Sequence, residues 1–428
     1  MRKLNIAIIG LGNIGCYLFK YLQENKEILT RKNNCSPIIK YVSAKNRKKK
    51  RIIKIKKKQW LNNYLDATKY KDIDLIVELI GGAEGPAKKL VFNALNNKKH
   101  VVTANKALIA KYGDQLAKIA EKNKVNLEFE ASVCGGVPII RSLKESLIAN
   151  KISKIYGIFN GTSNYILSSM DKQKKSFNDV LSNAKKLGYA ESNPSADLNG
   201  DDVSSKLKIL SSLCFSSFLN NNIYVEGIKN IDRVDIDNAN KLGYKIKLLG
   251  FAELLDNKFY QRVHPTLIKK ESYVASIDGV LNAVIVDGKP VGQSTIQGAG
   301  AGPAATTSAL VSDISSISRG NIKFPFSLSS KERKKLRFTD IEERFFSAYL
   351  RFEVLDKPGI LSNITRIFSK HKVSIKRLVQ NPDRNKKSSS IIIITHESKD
   401  KFLKKVLKEV SRKKYIKNNS KLIRIDNS

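Results

Sequence analysis

The chain has 428 residues, 41% hydrophobic and 8% aromatic, enough for two or three domains with cores of their own and too apolar for intrinsic disorder. Its formal net charge of +39 would ordinarily point to nucleic acid, but the excess is mostly lysine spread along the chain. Basic residues concentrate only at 45–58 and 412–414, with no aromatic platform or recognition helix beside them, so nucleic-acid binding is set aside as the main function.

No apolar stretch approaches the length of a bilayer span, and Met1-Arg2-Lys3 leads into only a short apolar run, so no membrane partner is expected. Cys16, Cys35, Cys134 and Cys214 lie far apart, with neither disulfide nor zinc-ligand spacing, which fits a reducing cytoplasm. The four histidines are isolated too, and metal-assisted chemistry is not expected.

Residues 4–9 form a buried-strand pattern that runs into Gly10-Leu11-Gly12-Asn13-Ile14-Gly15 ahead of a helical stretch, 16–25. In that context the glycines are a dinucleotide fingerprint: one for the turn, one for the approach of the pyrophosphate, one for helix–strand packing. The helix amino end would offer N–H groups and a positive dipole to the phosphates, so Gly10, Gly12, Asn13, Ile14 and Gly15 are candidate cofactor contacts. The bland alternative is a tight turn.

The second strand, 37–42, should end in a carboxylate if NAD is preferred, to hold the ribose hydroxyls. It runs instead into Ser43-Ala44-Lys45-Asn46-Arg47, which favours NADP, with NAD as the alternative cofactor and Lys45 and Arg47 as candidate contacts. Ordinary surface lysines are the competing explanation. Residues 73–82 then read as a strand closing in a glycine turn, followed by a helix, the run His100–Lys106, and a strand over 125–130 entering the turn 131–138. Strand carboxyl ends line the crevice in such sheets, so Lys106 and the 130–138 turn are placed to reach a substrate beside a nicotinamide.

At 159–165 a strand turns into a helix with Thr162, Ser163 and Asn164 in a row, more polarity than one helix cap needs. Within 188–206, Asp202 and Lys206 are four apart and share a helix face, while Glu191 can fold back across the Asn193-Pro194 turn. By spacing alone this is equally a surface ion-pair helix. Strand and helix are expected to alternate through residue 290. Gly298–Pro303 is either a hinge or a second backbone loop returning to the cofactor, and it leads into a small-residue helix, 304–314.

Residues 321–344 are polar and turn-rich and read as a linker. Beyond them come a strand (346–354), an Asp356-Lys357-Pro358-Gly359 turn, a helix (360–370), strands (373–379 and 389–395) and a helix (401–411), a βαββαβ order.

With GLGNIG, TANKAL, EASVCGGVP, NGTSNYIL, LGYAESNPSADLNGDDVSSK and GAGAG in place over residues 1 to about 320, the chain resembles homoserine dehydrogenase. That resemblance implies reversible, nicotinamide-dependent reduction of L-aspartate 4-semialdehyde to L-homoserine by a homo-oligomer, on the route to threonine, methionine and isoleucine. It implies Lys206 as proton donor and acceptor at the substrate oxygen, and Lys106 as a second lysine lining substrate and cofactor. Glu191, Asp197 and Asp202 would hold the substrate's amino and hydroxyl ends. Gly188 and Gly302 would contact the cofactor, and Glu130 with the backbone carbonyls of Val133, Gly135 and Val137 would bind a monovalent cation, usually sodium. Two departures stand out: Ser204-Ser205 where a pair such as Ala-His is common, and Pro303-Ala304-Ala305-Thr306, which leaves the cofactor contact of Gly302 open.

The carboxyl-terminal order resembles an ACT domain. That implies feedback by threonine bound near Asp356, Gly359 and Asn363 between two such modules; a dimerisation module without a ligand is the alternative.

The expected architecture is α/β: a Rossmann domain over 1–135, completed by about 296–320; an α+β substrate-binding and dimerisation domain over 136–295; the linker 321–345; and a ferredoxin-like ACT domain over 346–428. No kinase segment precedes Met1, so no fused aspartokinase is expected. Two other functions stay open: an oxidoreductase for a different small aldehyde or hydroxy acid, and an amino-acid-responsive nucleic-acid binder.

Hydride delivered to an aldehyde carbon leaves an alkoxide, which a cationic lysine stabilises and protonates. A free lysine, with a pKa of about 10.4, takes that proton back poorly. Lys106 and burial would lower Lys206, and Asp202 would raise it unless the substrate ammonium occupies that carboxylate. The carboxylates are thus expected to serve the substrate more than each other's lysines.

Overall fold

The structure, a computed structural model, describes residues 2–383, 388–418 and 420–426. Met1 and, within the expected 346–428 module, residues 384–387, 419, 427 and 428 lie outside the described residues.

Five parallel strands form the first sheet: β1 (Arg2–Ile9), β2 (Cys35–Ser43), β3 (Leu75–Glu78), β4 (His100–Thr103) and β5 (Leu127–Glu128), in the order β2-β1-β3-β4-β5. Helices cover both faces, which is why Ile6-Ala7-Ile8-Ile9 is apolar throughout instead of alternating. The direction of winding reverses between β1 and β3, and such a switch point opens a crevice at the strand carboxyl ends. The strand expected over 125–130 is only two residues long, because Glu130 already begins a tight helical turn, Glu130–Ser132, and gives its N–H to Asp313 at 3.0 Å. Helix Pro303–Ser318 returns from far along the chain to pack on helix Asn13–Glu24, with Ala309, Leu310 and Ile314 in one core with Leu18 and Phe19.

Among the described residues the second sheet has twelve strands. The stretch expected to alternate strand and helix centres instead on a long antiparallel hairpin, Tyr244–Leu255 with Lys258–Lys269. Asp256 and Asn257 close it with both residues left-handed (φ 48° and 58°), the geometry of a two-residue hairpin turn. The arms hide this in the sequence, because ten consecutive residues of the second arm, 259–268, are buried and no period of two survives.

At the carboxyl end, strands Phe345–Leu355, Ile375–Asp383, Ser388–Thr395 and Lys421–Asp426 combine with helices Ile360–Lys370 and Asp400–Ser411 in βαββαβ order. Across this part the fourth strand lies beside the first, then the third, then the second, all antiparallel. The fourth strand also pairs in parallel with Lys258–Lys269, Arg424 opposite Thr266, so one sheet runs through both regions. Residues 321–345 are mostly exposed or half-buried but are anchored at a few buried residues. Phe326 is fully buried, and Arg333 stacks on it at 4.3 Å while pairing with Asp114 at 2.7 Å. Among the described residues no helix is long and apolar enough to cross a membrane.

Candidate active site

Each fingerprint glycine has a separate reason to lack a side chain. A Cβ on Gly10, at φ 111°, would fall 2.4 Å from the Leu79 carbonyl oxygen, and one on Gly15 would fall 2.0 Å from that of Gly10. A Cβ on Gly12 would meet nothing within 4 Å, because it would project into open space. That space is a hollow at the switch point, lined by Gly12, Asn13, Ile14 and Gly15 with Glu78–Gly81, Ala104 and Asn105. A helix amino end with free backbone N–H groups and room for a diphosphate fits a dinucleotide cofactor.

Lys45 and Arg47 are exposed on the loop after β2. Arg47 lies over the Trp60 ring at 5.2 Å. Arg51, which the sequence marks only as one of many basic residues, is tied down: it stacks on Trp60 at 5.5 Å, donates from Nε to the Leu11 carbonyl at 3.2 Å and from Nη2 to that of Asn46 at 2.7 Å. It therefore sits against the fingerprint loop itself. Glu78, at the end of β3, is also new. It accepts from the N–H groups of Ile80 and Gly81 at 2.7 and 3.0 Å and from the Thr103 hydroxyl at 2.5 Å, fixing the second wall of the hollow.

The catalytic candidates meet across the domain boundary. Helix Lys106–Asn123 follows β4, and helix Asp201–Cys214 belongs to the second domain. Asp202 joins them: Oδ1 lies 2.9 Å from Lys106 Nζ and Oδ2 lies 2.8 Å from Lys206 Nζ. Lys206 also donates to the Phe159 carbonyl at 2.6 Å, whereas the Lys106 side chain is 44% exposed. Asn160 caps its helix through Oδ1 and donates from Nδ2 to Asp197 at 2.7 Å and Asp202 at 2.9 Å. Within the polar run 160–164 it is Asn160 that serves both carboxylates, while Thr162 donates to the Tyr189 carbonyl and Asn164 to that of Ile277; a helix cap that is also a carboxylate ligand could have been suspected from the run. Glu191 is exposed and, among the described residues, makes no ion pair with these groups. Gly188 is exposed at φ 75°, with open space where a Cβ would be.

Burial alone would raise Asp202, but Lys206, Lys106 and Asn160 hold its carboxyl well below the usual range. Burial works to lower Lys206, and the Asp202 charge outweighs it, so the lysine is held above its ordinary value. With no ammonium on Asp202 that carboxylate raises Lys206, as expected, and the two are partners of each other in this state. Asp197 is raised, chiefly by burial.

Below Lys206, the turn 130–137 is built around two left-handed residues, Cys134 and Gly135 (φ 56° and 49°). Glu130 is 2% exposed and accepts from the N–H groups of Ile140 and Arg141 at 2.9 and 2.6 Å. Burial pushes it up to about 7 against those bonds, so a cation would relieve a real desolvation cost. A buried carboxylate with backbone carbonyls is oxygen chemistry that suits a hard cation; of the carbonyls expected to join it, that of Val137 accepts from the Ile139 N–H at 2.8 Å. The 298–302 loop is pinned to this turn: Gly136 donates to the Ala299 carbonyl at 2.9 Å, and a Cβ on Gly135 would fall 2.6 Å from the Gly300 oxygen. It is no free hinge. Gly302 itself is exposed at φ 111°.

In the carboxyl-terminal module, Asp356 and Gly359 line one hollow together with Lys357, Gln380 and Ile391. Asn363 lies a turn further along the helix, exposed and outside that lining. Gln380, across the strand from Ile391, is visible only once the sheet is folded.

Comparison with known proteins agrees across the whole length. A family model described as homoserine dehydrogenase matches residues 138–315, one described as homoserine dehydrogenase, NAD binding domain, matches 10–130, and one described as ACT domain matches 348–413. A homoserine dehydrogenase of Neisseria gonorrhoeae is 38% identical over 414 residues, covering 95% of each chain. That of Helicobacter pylori is 38% identical over 430 residues, covering 100% of each. The crystal structure of a homoserine dehydrogenase from Thiobacillus denitrificans is similar with a TM-score of 0.93 at 36% identity, covering 100% of this chain and 99% of that one.

Proposed function

Because the chain belongs to the homoserine dehydrogenase family, an NAD(P)-dependent oxidoreductase, we propose which of its residues carry out the interconversion of L-aspartate 4-semialdehyde and L-homoserine. The observation that carries the assignment is Asp202 bridging Lys106 and Lys206 from two domains.

Gly12–Gly15 and the wall Glu78–Gly81, which line the hollow, hold the dinucleotide, and the family resemblance adds Gly10, Lys106, Gly188 and Gly302 as further contacts. The bound nicotinamide supplies or accepts the hydride. Lys206, charged and buried, stabilises the oxyanion that forms at the substrate carbonyl and gives it a proton. Asp197, Asp202 and Glu191 receive the substrate's amino and hydroxyl ends. When the ammonium takes over Asp202, the force that raises Lys206 weakens, and the lysine becomes a better acceptor for homoserine oxidation. Lys106, half exposed, lines the cleft and shares Asp202.

NADP is the preferred cofactor, read through Lys45, Arg47 and Arg51. Glu130 with the carbonyls of Val133, Gly135 and Val137 holds a monovalent cation, probed first as sodium, that braces the turn beneath Lys206. Threonine acts at the hollow of Asp356 and Gly359, with Asn363 close by, between modules of a homo-oligomer, and the four free cysteines fit a reducing cytoplasm. The domain limits 1–135 with 296–320, 136–295, 321–345 and 346–428 belong to the same proposal.

One assay tests the core: homoserine oxidation with NAD and NADP, with and without threonine, on wild type and Lys206→Ala. Turnover should fall far more than substrate affinity in the variant; small, equal effects on both would remove Lys206 from its role.

A further inference from the structure

The helices that carry Asp197, Asp202 and Lys206 rest against a segment that reaches the carboxyl-terminal module. A Cβ on Gly227 would fall 2.1 Å from the Leu198 carbonyl oxygen and 2.6 Å from Asn199 Cα, and Ile228 donates its N–H to that same carbonyl at 2.9 Å. Leu198 directly follows Asp197. Gly200, from which helix Asp201–Cys214 starts, approaches the same segment: a Cβ there would meet Val225 at 3.1 Å. Residues 225–228 therefore fix both the short helix Ser195–Asn199 and the start of the helix bearing Asp202 and Lys206.

The other side of this segment is gripped from the last strand. Arg424 is almost fully buried and holds Asp400 with two donors, at 2.6 and 3.2 Å. Its remaining nitrogen, Nη1, reaches Glu226 Oε2 at 3.1 Å. The Tyr224 hydroxyl donates to the same Glu226 oxygen at 3.0 Å, and the guanidinium stacks on the Tyr224 ring at 4.8 Å. The buried, bidentate pair with Asp400 fixes the guanidinium, so its single bond to the partly exposed Glu226 comes from a rigid donor.

We propose that Glu226, held by Arg424, is a positioning residue for the substrate: the carboxyl-terminal module sets the place of Asp197 and Asp202 through residues 224–228. This rests on the assignment of Asp197 and Asp202 to the substrate. Spatial continuity alone does not establish coupling, so the test must measure it.

Glu226→Gln, Tyr224→Phe, Arg424→Lys and the Glu226→Gln/Arg424→Lys pair, each in the full chain, are compared for homoserine KM, cofactor KM, kcat and thermal midpoint. Glu226 is partly exposed and Tyr224→Phe removes one hydroxyl, so these two fold even if Arg424→Lys does not. The expected result is a homoserine KM raised roughly three- to tenfold in Glu226→Gln, with cofactor KM and kcat within about twofold of wild type, and a pair no worse than its worse single. A purely structural contact would lower the thermal midpoint and leave homoserine KM alone, or move both KM values together; either outcome overturns the proposal. Asp197→Asn keeps the two ideas apart: if homoserine KM is unmoved there, the substrate assignment has failed and Glu226 has nothing to position.

Discussion

Asp202 Oδ2 lies 2.8 Å from Lys206 Nζ, one helical turn along, with both side chains buried. The pair stores a proton on the lysine, since Asp202 holds it above its ordinary value. On the proposed assignment, Lys206 in the free enzyme is the acid for aldehyde reduction, and homoserine oxidation must first draw that proton away. The kcat/KM for oxidation should therefore rise with pH toward the Lys206 pKa. Replacing Asp202 with Asn removes the largest raising charge and leaves burial opposed only by Cys134 and Asp197, so this limb should move to lower pH while homoserine KM increases. An unmoved limb would show that another group carries the proton.

Gly12 and Gly15 should respond oppositely to the same methyl group. Gly15→Ala forces a Cβ to within 2.0 Å of the Gly10 carbonyl oxygen and should lower the thermal midpoint of the whole protein. Gly12→Ala meets no protein atom, so stability should hold while cofactor KM rises on the order of tenfold, about 1.4 kcal/mol of binding. Thermal scans beside cofactor titrations distinguish the two.

Arg51 is the firmest cation near the fingerprint loop, through Leu11 and Trp60. Arg51→Ala should weaken NADP binding more than NAD binding, roughly tenfold for a lost charge-assisted bond to a phosphate. Equal losses with both cofactors would mean that Arg51 supports the loop without reading the 2′-phosphate.

Sodium should raise the thermal midpoint of the wild type, and Glu130→Gln should abolish the increment, because the buried carboxylate is the only formal charge in the proposed donor set. Dialysis into a bulky organic cation should reproduce the variant. A sodium effect that survives in Glu130→Gln would place the ion elsewhere.

Threonine should lower activity of the wild type and lose that effect in Asp356→Ala, with uninhibited turnover kept, since Asp356 lies on the exposed rim of the module's hollow. Differential scanning with threonine gives an independent readout. If threonine moves neither activity nor thermal midpoint, the module does not sense it.

The local chemistry was legible wherever backbone geometry and residue type are coupled over short range. Gly10, Gly12 and Gly15 declare turn, approach and packing within six residues, and the structure gives each glycine that reason. Asp202 and Lys206 share a face because a helix turns every 3.6 residues. Asp256-Asn257 was equally local, yet its flanking arms are buried on both faces and lack the alternation that marks a hairpin.

What the sequence by itself determined is therefore the set of parts: a fingerprint loop, a lysine–carboxylate helix, the turn 130–138 and a βαββαβ tail, each encoded by neighbours in the chain. Only the tertiary structure decided which parts touch. Asp202 spans to Lys106 across 96 positions, Asn160 joins Asp197 to Asp202, and Arg424 reaches Glu226 across nearly 200 residues. Such contacts depend on how sheets and helices pack, and no local propensity or spacing carries that information.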